Sequence, residues 1–164
     1  MRQLHYCSKE NIFGIEAFLL EYNETVFLKY CFIIDSTMIG DINQTCVLNP
    51  QIDILKNIIL KKGTRKLNDY ATQKLNTLTD KLIELYNTTK NDSIINSINI
   101  NSISCEAFDA TFTFLIEEIS YDLFLAKDLF NKKYYGKKLP KGIFYSEIQL
   151  FYNWILKNTR ITLK

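Results

Sequence analysis

One run of alternating residues, TVFLKYCFIID at positions 25–35, restricts the fold more than any other part of the sequence. One side of an extended chain would carry Val26, Leu28, Tyr30, Phe32 and Ile34, a period of two that predicts a β-strand. The other side would carry Phe27, Lys29, Cys31 and Ile33. Because this second set is also mostly apolar, the run predicts a central strand that is covered on much of both faces.

The neighbouring segments predict hairpins around this strand. Apolar residues are dense from Phe13 to Glu21, and Asn23 and Glu24 would turn the chain between two antiparallel strands. The segment DSTM after the second strand predicts another turn, because Asp and Ser side chains can hydrogen-bond to the backbone just ahead of them. A short third strand would begin at Met38.

Three helices are predicted from capping residues and helical spacing. Asn49 and Pro50 fit the first positions of a helix that Gly63 would end. A third helix would begin at Ser146, where Ser-Glu-Ile-Gln matches a capping box and Tyr145 can pack on Leu150. Between them, a second helix packed on a sheet is predicted by the apolar stripe of Leu67, Ala71, Leu75, Leu78, Leu82 and Leu85.

The remaining segments complete an α+β fold. Residues 87–104 are rich in Asn and Ser and predict a loop with one short strand near its end, whereas DATFTFLIEE and SYDLFLAKDLF alternate and predict two further strands. Tight turns between strand pairs indicate antiparallel pairing. We therefore predict a mainly antiparallel sheet of about five strands with three helices packed mostly on one face, in a single domain over residues 1–164.

Charge, cysteines and glycines argue against several functional classes. Twenty Lys and Arg against eighteen Asp and Glu give a net charge of +2, too small to predict a nucleic-acid or membrane surface. The four cysteines form no CxxC pair and have no histidine placed to complete a zinc site, and the glycines match no phosphate-binding motif, so neither a metal nor a cofactor is predicted. Apolar neighbours favour reduced thiols in the cytoplasm over a disulfide scaffold. No apolar run approaches the length of a membrane span.

No motif predicts catalysis. His5 and Cys7 would share one face of a strand, but a nucleophilic pair also needs a third, orienting group, so a structural role is favoured. Glu117 and Glu118 would point to opposite faces and are interpreted as solvated charges at a strand edge. A small enzyme is one alternative, and it would need a deep pocket with two converging polar groups of shifted pKa.

A lysine-rich segment provides a second alternative. In KDLFNKKYYGKKLPK, residues 127–141, lysines alternate with aromatic residues, a pattern compatible with contacts to nucleic-acid phosphates and bases. A solvated turn is favoured because the net charge is small. The nucleic-acid hypothesis requires an exposed Tyr134 or Tyr135 beside lysines that share one face, namely Lys132, Lys133, Lys137, Lys138 and Lys141.

Four segments, IFGIEAFLLEY, FLKYCFIIDSTMIGD, DLFLAKDLFNKKYYGKKLPKGIF and YNWIL, resemble the immunity proteins of bacterial polymorphic toxin systems, in particular the immunity protein 42 type. The likeness covers the beginning of the chain and, more loosely, its end. The resemblance implies a small cytoplasmic protein without catalytic activity that binds a cognate toxin domain, as in contact-dependent growth inhibition, and blocks its active site or substrate access. The matching positions are Phe13, Ile15, Glu16, Ile39, Gly40 and Asp41.

The implied partner suggests which residues to consider for binding. Many toxin domains are basic nucleases, and an inhibitor that presents carboxylates to them gains association rate. Because this chain is slightly basic overall, such an inhibitor would need a local acidic patch. The candidates are Glu16, Glu21, Glu24, Asp35 and Asp41, and neither a nucleic acid nor a membrane is expected as a partner.

Overall fold

The structure, a computed structural model, describes residues 2–8, 12–68, 70, 73–89, 92–101 and 105–159. Within these residues the α+β class with antiparallel sheets is confirmed, with eight strands instead of about five and four α-helices instead of three. In chain order the elements are β1 (Arg2–Cys7), β2 (Phe13–Tyr22), β3 (Thr25–Ile34), β4 (Thr37–Ile39), β5 (Cys46–Val47), α1 (Leu48–Leu60), α2 (Leu75–Thr88), α3 (Ser93–Ile98), a 3-10 helix (Glu106–Phe108), β6 (Thr111–Glu117), β7 (Tyr121–Asp128), β8 (Lys133–Pro140) and α4 (Ile143–Asn158).

Contacts along the chain group these elements into two compact units. The first unit comprises Met1–Leu60, Ser102–Asp109 and Ile143–Lys164, and the second comprises Lys61–Asn101 and Ala110–Gly142. The described strands form two sheets, five-stranded in the first unit and three-stranded in the second, where the sequence predicted one. The single domain over the whole chain stays a prediction.

The five-stranded sheet is built on the predicted hairpin. Its order is β1-β2-β3-β4, with β5 also paired to β3, and every pair is antiparallel. Asn23 and Glu24 join β2 to β3 with φ angles of 47° and 67°, and Asp35 and Ser36 join β3 to β4 with 47° and 64°. Two consecutive positive φ angles define a turn whose twist matches that of the flanking strands. Both predicted turns are therefore confirmed.

One face of this sheet, the inner face, carries the core of the first unit. Aromatic side chains of β3 pack on the helices: the ring centroids of Tyr30 and Phe151 in α4 are 5.6 Å apart, and those of Phe32 and Phe108 in the 3-10 helix are 5.2 Å apart. The side chain of Ser8, just after β1, donates a hydrogen bond to the carboxylate of Glu147 in α4. Each large apolar side chain buried here contributes about 1.5–3 kcal/mol. The buried inner-face residues of β2 and β3 are Phe13, Ile15, Ala17, Leu19, Leu28, Tyr30, Phe32 and Ile34.

The three-stranded sheet of the second unit has the order β6-β7-β8. Its core joins alternate residues of β6 and β7 to apolar residues of α2 and α3. The short α3 forms where the sequence predicted a loop, because the carboxylate of Asp92 accepts hydrogen bonds from the backbone N–H groups of Ile94 and Ile95 and so caps the helix. The fully or nearly buried core residues are Leu78, Leu82, Ile95, Ile98, Phe114, Ile116, Leu123 and Leu125.

Four predicted elements differ in the structure. The first helix begins at Leu48, before the predicted cap at Asn49, and ends at Leu60. The second helix begins at Leu75 instead of Leu67; residues 64–68 and 70 are not helical, and Ala71 of the predicted stripe lies outside the described residues. The lysine-rich segment that was interpreted as a turn contains β8, which pairs with β7 along its whole length. The last helix begins at Ile143, three residues before the predicted cap, directly after Gly142 with its φ of 83°.

The cysteines do not all remain thiols. Cys46 in β5 and Cys105 form a disulfide across 59 positions of sequence, with Cα atoms 4.6 Å apart, whereas Cys7 and Cys31 are free. The prediction of reduced thiols throughout is therefore wrong for this pair. The pairing of Cys46 with Cys105 was not apparent from the sequence, because β5 is only two residues long and Cys105 contacts it through an isolated bridge.

Candidate functional site: the outer face of the five-stranded sheet

The pairing register places a second set of side chains on the opposite side of the five-stranded sheet. We call this set the outer face. It consists of Gln3, His5 and Cys7 of β1, Gly14, Glu16, Phe18, Leu20 and Tyr22 of β2, Thr25, Phe27, Lys29, Cys31 and Ile33 of β3, Met38 of β4 and Val47 of β5. Val47 lies opposite Phe27 and Met38 lies opposite Ile33, so apolar side chains from neighbouring strands are adjacent across the sheet.

The outer face is open to solvent to an extent that the sequence did not predict. Tyr22 is 60% exposed, Met38 50% and Val47 52%, while Phe18, Leu20, Phe27 and Ile33 are half-buried. β3 is indeed an interior strand by its pairing. Its second face, however, was expected to be covered, and what the structure presents there is an exposed apolar surface of the kind that marks interaction sites.

The polar side chains on the described outer face are Gln3 and Thr25, which are exposed, together with His5, Glu16 and Lys29. The imidazole Nε2 of His5 lies 3.3 Å from the Glu16 Oε1, and its ring stacks on Phe18 at 4.5 Å between centroids. Lys29, near the middle of β3, makes no side-chain hydrogen bond or ion pair with any residue that the structure describes. Among the described residues, the outer face thus offers aromatic and aliphatic contact area together with the ammonium group of Lys29.

The outer-face thiols differ in accessibility. Cys31 is fully buried, and burial, followed by the nearby Glu16 carboxylate, raises the pKa of its thiol to about 12. Because the thiolate is the reactive form, Cys31 is inert at neutral pH. Cys7 is exposed at the corner of the face. Cys7 therefore provides a chemical probe of that corner.

The five predicted acidic residues do not form one patch. Glu21 and Glu24 lie near the β2–β3 turn, whereas Asp35 and Asp41 lie at the other end of β3, about 30 Å away along a ten-residue strand. Glu16 lies on the outer face and is paired with His5. The local acidic patch that a nuclease inhibitor would need is therefore not assembled by these residues, and toxin contact by any of them stays a prediction.

The residues that carry the family resemblance have structural roles. Phe13, Ile15 and Ile39 are buried in the inner-face core. Gly40 has a φ of 101°, and a Cβ atom there would lie 2.8 Å from the ring of Phe108, so a side chain would be both strained and obstructed.

Asp41 follows Gly40 directly and is held by hydrogen bonds. Its backbone N–H donates to Ala107 at 2.7 Å and its carboxylate accepts hydrogen bonds from the backbone and side chain of Asn43. The Ile-Gly-Asp segment thus fixes the chain after β4, and no catalytic partner meets Asp41 among these contacts.

In the second unit, carboxylates near the β6–β7 turn are buried instead of solvated. Glu117 is 6% exposed and accepts hydrogen bonds from the backbone N–H groups of Gly63 and Arg65, at 2.9 and 3.1 Å. Asp122, opposite Glu117 in the ladder, is fully buried and accepts from Lys141 Nζ at 2.7 Å and from the N–H of Gly142 at 2.8 Å. The interpretation of Glu117 as a solvated strand-edge charge is therefore wrong, because a loop of the same unit covers the strand end.

A cavity of about 490 Å³ opens beside this cluster, between Lys66, Leu67, Ile119 and Lys141. Its acids are engaged in holding the fold, and Glu118 accepts a hydrogen bond from the Tyr70 hydroxyl at 2.6 Å. Burial and this hydrogen bond raise the pKa of Tyr70, so its phenol stays protonated at neutral pH. No group of metal-ligating side chains occurs among the described residues.

The lysines of residues 127–141 do not converge. Along β8, Lys133 and Lys137 point to one side of the sheet and Lys138 to the other. Lys141 is engaged by the buried Asp122, and the hydroxyl of Tyr134 donates to Asp80 at 2.7 Å. Tyr135 is half-buried and lies between Lys133 and Lys137 on one side of β8, so this strand presents two of the five lysines beside a partly covered tyrosine and not the whole set that the nucleic-acid hypothesis requires.

The comparisons with known proteins agree with the fold. A crystal structure of CdiI from Burkholderia dolosa AUO158 is similar, with a TM-score of 0.67 and 11% sequence identity over 88% of this chain and 96% of that chain. At this identity the likeness concerns the fold alone. No curated protein matches the sequence.

The family follows from the sequence itself. The sequence model of the immunity protein 42 family matches residues 9–154, which is most of the chain. The chain therefore belongs to the immunity protein 42 family, as its motifs predicted. None of its described helices is long and apolar enough to cross a bilayer.

Proposed function

We propose that this protein neutralises a cognate toxin domain by binding it tightly and blocking its active site or substrate access. Membership of the immunity protein 42 family is the observation that carries this proposal. The fold shared with CdiI from Burkholderia dolosa AUO158 supports a partner from a contact-dependent growth inhibition system or a related polymorphic toxin system. Neutralisation requires only a stable, complementary surface, and it works without a reaction catalysed by the inhibitor.

The site of action follows from the target. A toxin that enters a cell must be met where it acts, so we propose that the protein works in the cytoplasm. The antiparallel framework of the first unit provides the rigid surface that a protein interface of about 1,200–2,000 Å² needs. Glu16, Glu21, Glu24, Asp35 and Asp41 are proposed contacts, which would act as separate anchors at two ends of β3 and on the outer face.

Growth rescue tests the proposal directly. The toxin domain encoded beside this chain's gene is expressed from an inducible promoter in a sensitive host, with and without this protein. We expect the toxin alone to arrest growth and co-expression to restore it, and the two proteins to elute as one complex in size-exclusion chromatography. An unrelated immunity protein of similar size serves as the control. If co-expression leaves growth arrested, the proposed function is wrong.

A further inference from the structure

Resting on the proposed function, we propose that the outer face of the five-stranded sheet is the surface that docks the toxin. Its occupant is an apolar surface of the toxin domain that carries a carboxylate positioned to meet Lys29. This differs from an inhibitor that presents acidic residues to a basic nuclease cleft, because the outer face contributes mainly apolar area and one cation. Family membership indicates that the partner is a toxin domain, and the side chains of the outer face indicate which chemical groups that domain would present.

The size of the outer face fits this role. β2 and β3 have ten residues each, β1 has six, and β4 and β5 have three and two; at about 3.3 Å per residue and about 4.8 Å between strands they give a flat area of roughly 500 Å². A standard interface buries about 800 Å² of accessible surface on each partner. Because side chains that project from a sheet add accessible area to the flat estimate, this face alone can supply most of one side of a specific interface.

The composition of the outer face also fits a binding surface. Tyr22 and the half-buried Phe18 and Phe27 are aromatic side chains of the type that dominates binding energy, and they are held by a regular sheet, so little entropy is lost when a partner orders them. The helical elements contact the inner face through residues such as Tyr30 and Phe32. The outer face is therefore exposed because it is the side of the sheet that faces away from those helices.

A second copy of this chain fits the surface less well than a toxin domain does. Two copies that met face to face about a two-fold axis would bring the two Lys29 ammonium groups close together near the middle of the interface. Like charges at an interface core disfavour association. Glu16, the nearest outer-face carboxylate in the register, is already engaged by His5. A carboxylate on a different protein is the complementary group.

The test inserts a charge at exposed positions on and off the outer face. Val47→Glu and Met38→Glu alter side chains that are half exposed, so the fold should tolerate them. Leu60→Glu and Leu150→Glu are matched controls in the same unit, at side chains 69% and 54% exposed. Binding of the purified toxin domain is measured by titration calorimetry, and the midpoint of thermal unfolding is measured for each variant.

We expect each outer-face variant to bind about 100-fold more weakly, because a charge in a desolvated apolar contact has no partner. The controls should bind within about threefold of wild type. Lys29→Glu should weaken binding by about tenfold or more, whereas Lys29→Met, which keeps the apolar stem, should lose less. If either outer-face variant unfolds, Tyr22→Glu replaces it at a side chain that is 60% exposed.

The outcomes separate this inference from the proposed function. If wild type rescues growth but the outer-face variants bind and rescue equally well, the docking surface is wrong and the function stands. If wild type neither binds nor rescues, the proposed function fails. A concentration-dependent dimer of the free protein that Val47→Glu abolishes would assign the face to a second copy and overturn the inference.

Discussion

The five-stranded and three-stranded sheets of this protein are built alike but are exposed differently. Each is an antiparallel ladder of alternating side chains with helices packed on one face. In the first unit the other face is open and apolar, with Tyr22, Met38 and Val47 at least half exposed. In the second, Leu115 and Phe124, which point away from α2 and α3, are fully buried. A similar sequence pattern therefore provides a candidate binding surface in one unit and further core in the other.

The carboxylates show the same contrast. Glu21 and Glu24 of the first unit lie in solvent near a turn, whereas Glu117 and Asp122 of the second unit lie buried at a turn and bind backbone N–H groups and a lysine. An acidic residue beside a hairpin turn can thus be a surface charge or a structural ligand. What decides is whether a neighbouring loop covers the strand end.

The largest expected difference between the sheets is in stability. Phe114→Ala should destabilise the protein by about 3–5 kcal/mol, because Phe114 is fully buried in the core of the second unit. Val47→Ala on the outer face should change the free energy of unfolding by less than about 0.5 kcal/mol. Urea unfolding followed by circular dichroism measures both. Comparable losses would show that the outer face is packed like a core.

The disulfide adds a covalent constraint that belongs to the first unit. Reduction should lower the free energy of unfolding by about 3–4 kcal/mol, because the Cys46–Cys105 link restricts the unfolded chain across 59 residues. The proposed cytoplasmic location makes the stability of the reduced form relevant, since thiols are kept reduced there. Urea unfolding with and without reductant measures the loss, and Cys46→Ser with Cys105→Ser should remove the difference.

A thiol count checks the assignment. Under denaturing conditions without reductant, two free thiols are expected, from Cys7 and Cys31. Four would show that the disulfide does not form.

The buried carboxylate of the second unit should matter more than an exposed one of the first. Asp122→Ala should cost about 2–3 kcal/mol, because it removes charge-assisted hydrogen bonds to Lys141 and Gly142. Glu21→Ala, the matched control at an exposed strand position, should stay within about 0.5 kcal/mol of wild type. Chemical unfolding at neutral pH compares them. Equal effects would remove the contrast between the two kinds of acid.

The smallest predicted effect concerns an exposed ion pair on the three-stranded sheet. Lys127 donates to Asp80 at 2.6 Å, and this bond, together with that from Tyr134, holds the pKa of Asp80 below its usual value of 3.8. A lowered folded pKa stabilises the protein above the unfolded value, and the contribution is lost as pH falls through the folded pKa. Because Asp80 is half exposed, Asp80→Asn should cost less than about 1 kcal/mol at pH 7.

The pH dependence provides the check on this pair. Urea unfolding at a series of pH values should show the difference between Asp80→Asn and wild type shrinking once the pH falls below 3.8. A difference that persists unchanged in stronger acid would assign the effect to packing instead of charge.

The sequence predicted the elements whose signals are local. The β2–β3 hairpin with both its turns, α1 and the β6–β7 pair follow from periodicity and turn residues. β5 is two residues long and β8 is rich in lysine, so their pairing depends on tertiary contacts that no local pattern carries. The division into two sheets depends on which strands meet, which alternation does not encode.

The candidate surface was only half predictable. The apolar alternate set on β3 was recognised in the sequence, but a pattern gives the side of a strand and not whether a helix covers it. The fully buried Cys31 and the half-buried Phe27 lie on the same face, so composition alone could not separate covered from open positions. The exposure of Val47 follows from a strand that the sequence did not predict.

The most direct test of the proposed docking surface is hydroxyl-radical footprinting of the protein alone and in complex with the toxin domain. We predict that oxidation of Tyr22 and Met38 falls strongly in the complex, as does alkylation of Cys7 on the same face. Phe130, which is 87% exposed in the second unit, should react equally in both samples. Protection of Phe130 with unchanged reactivity of Tyr22 and Met38 would contradict docking on the outer face.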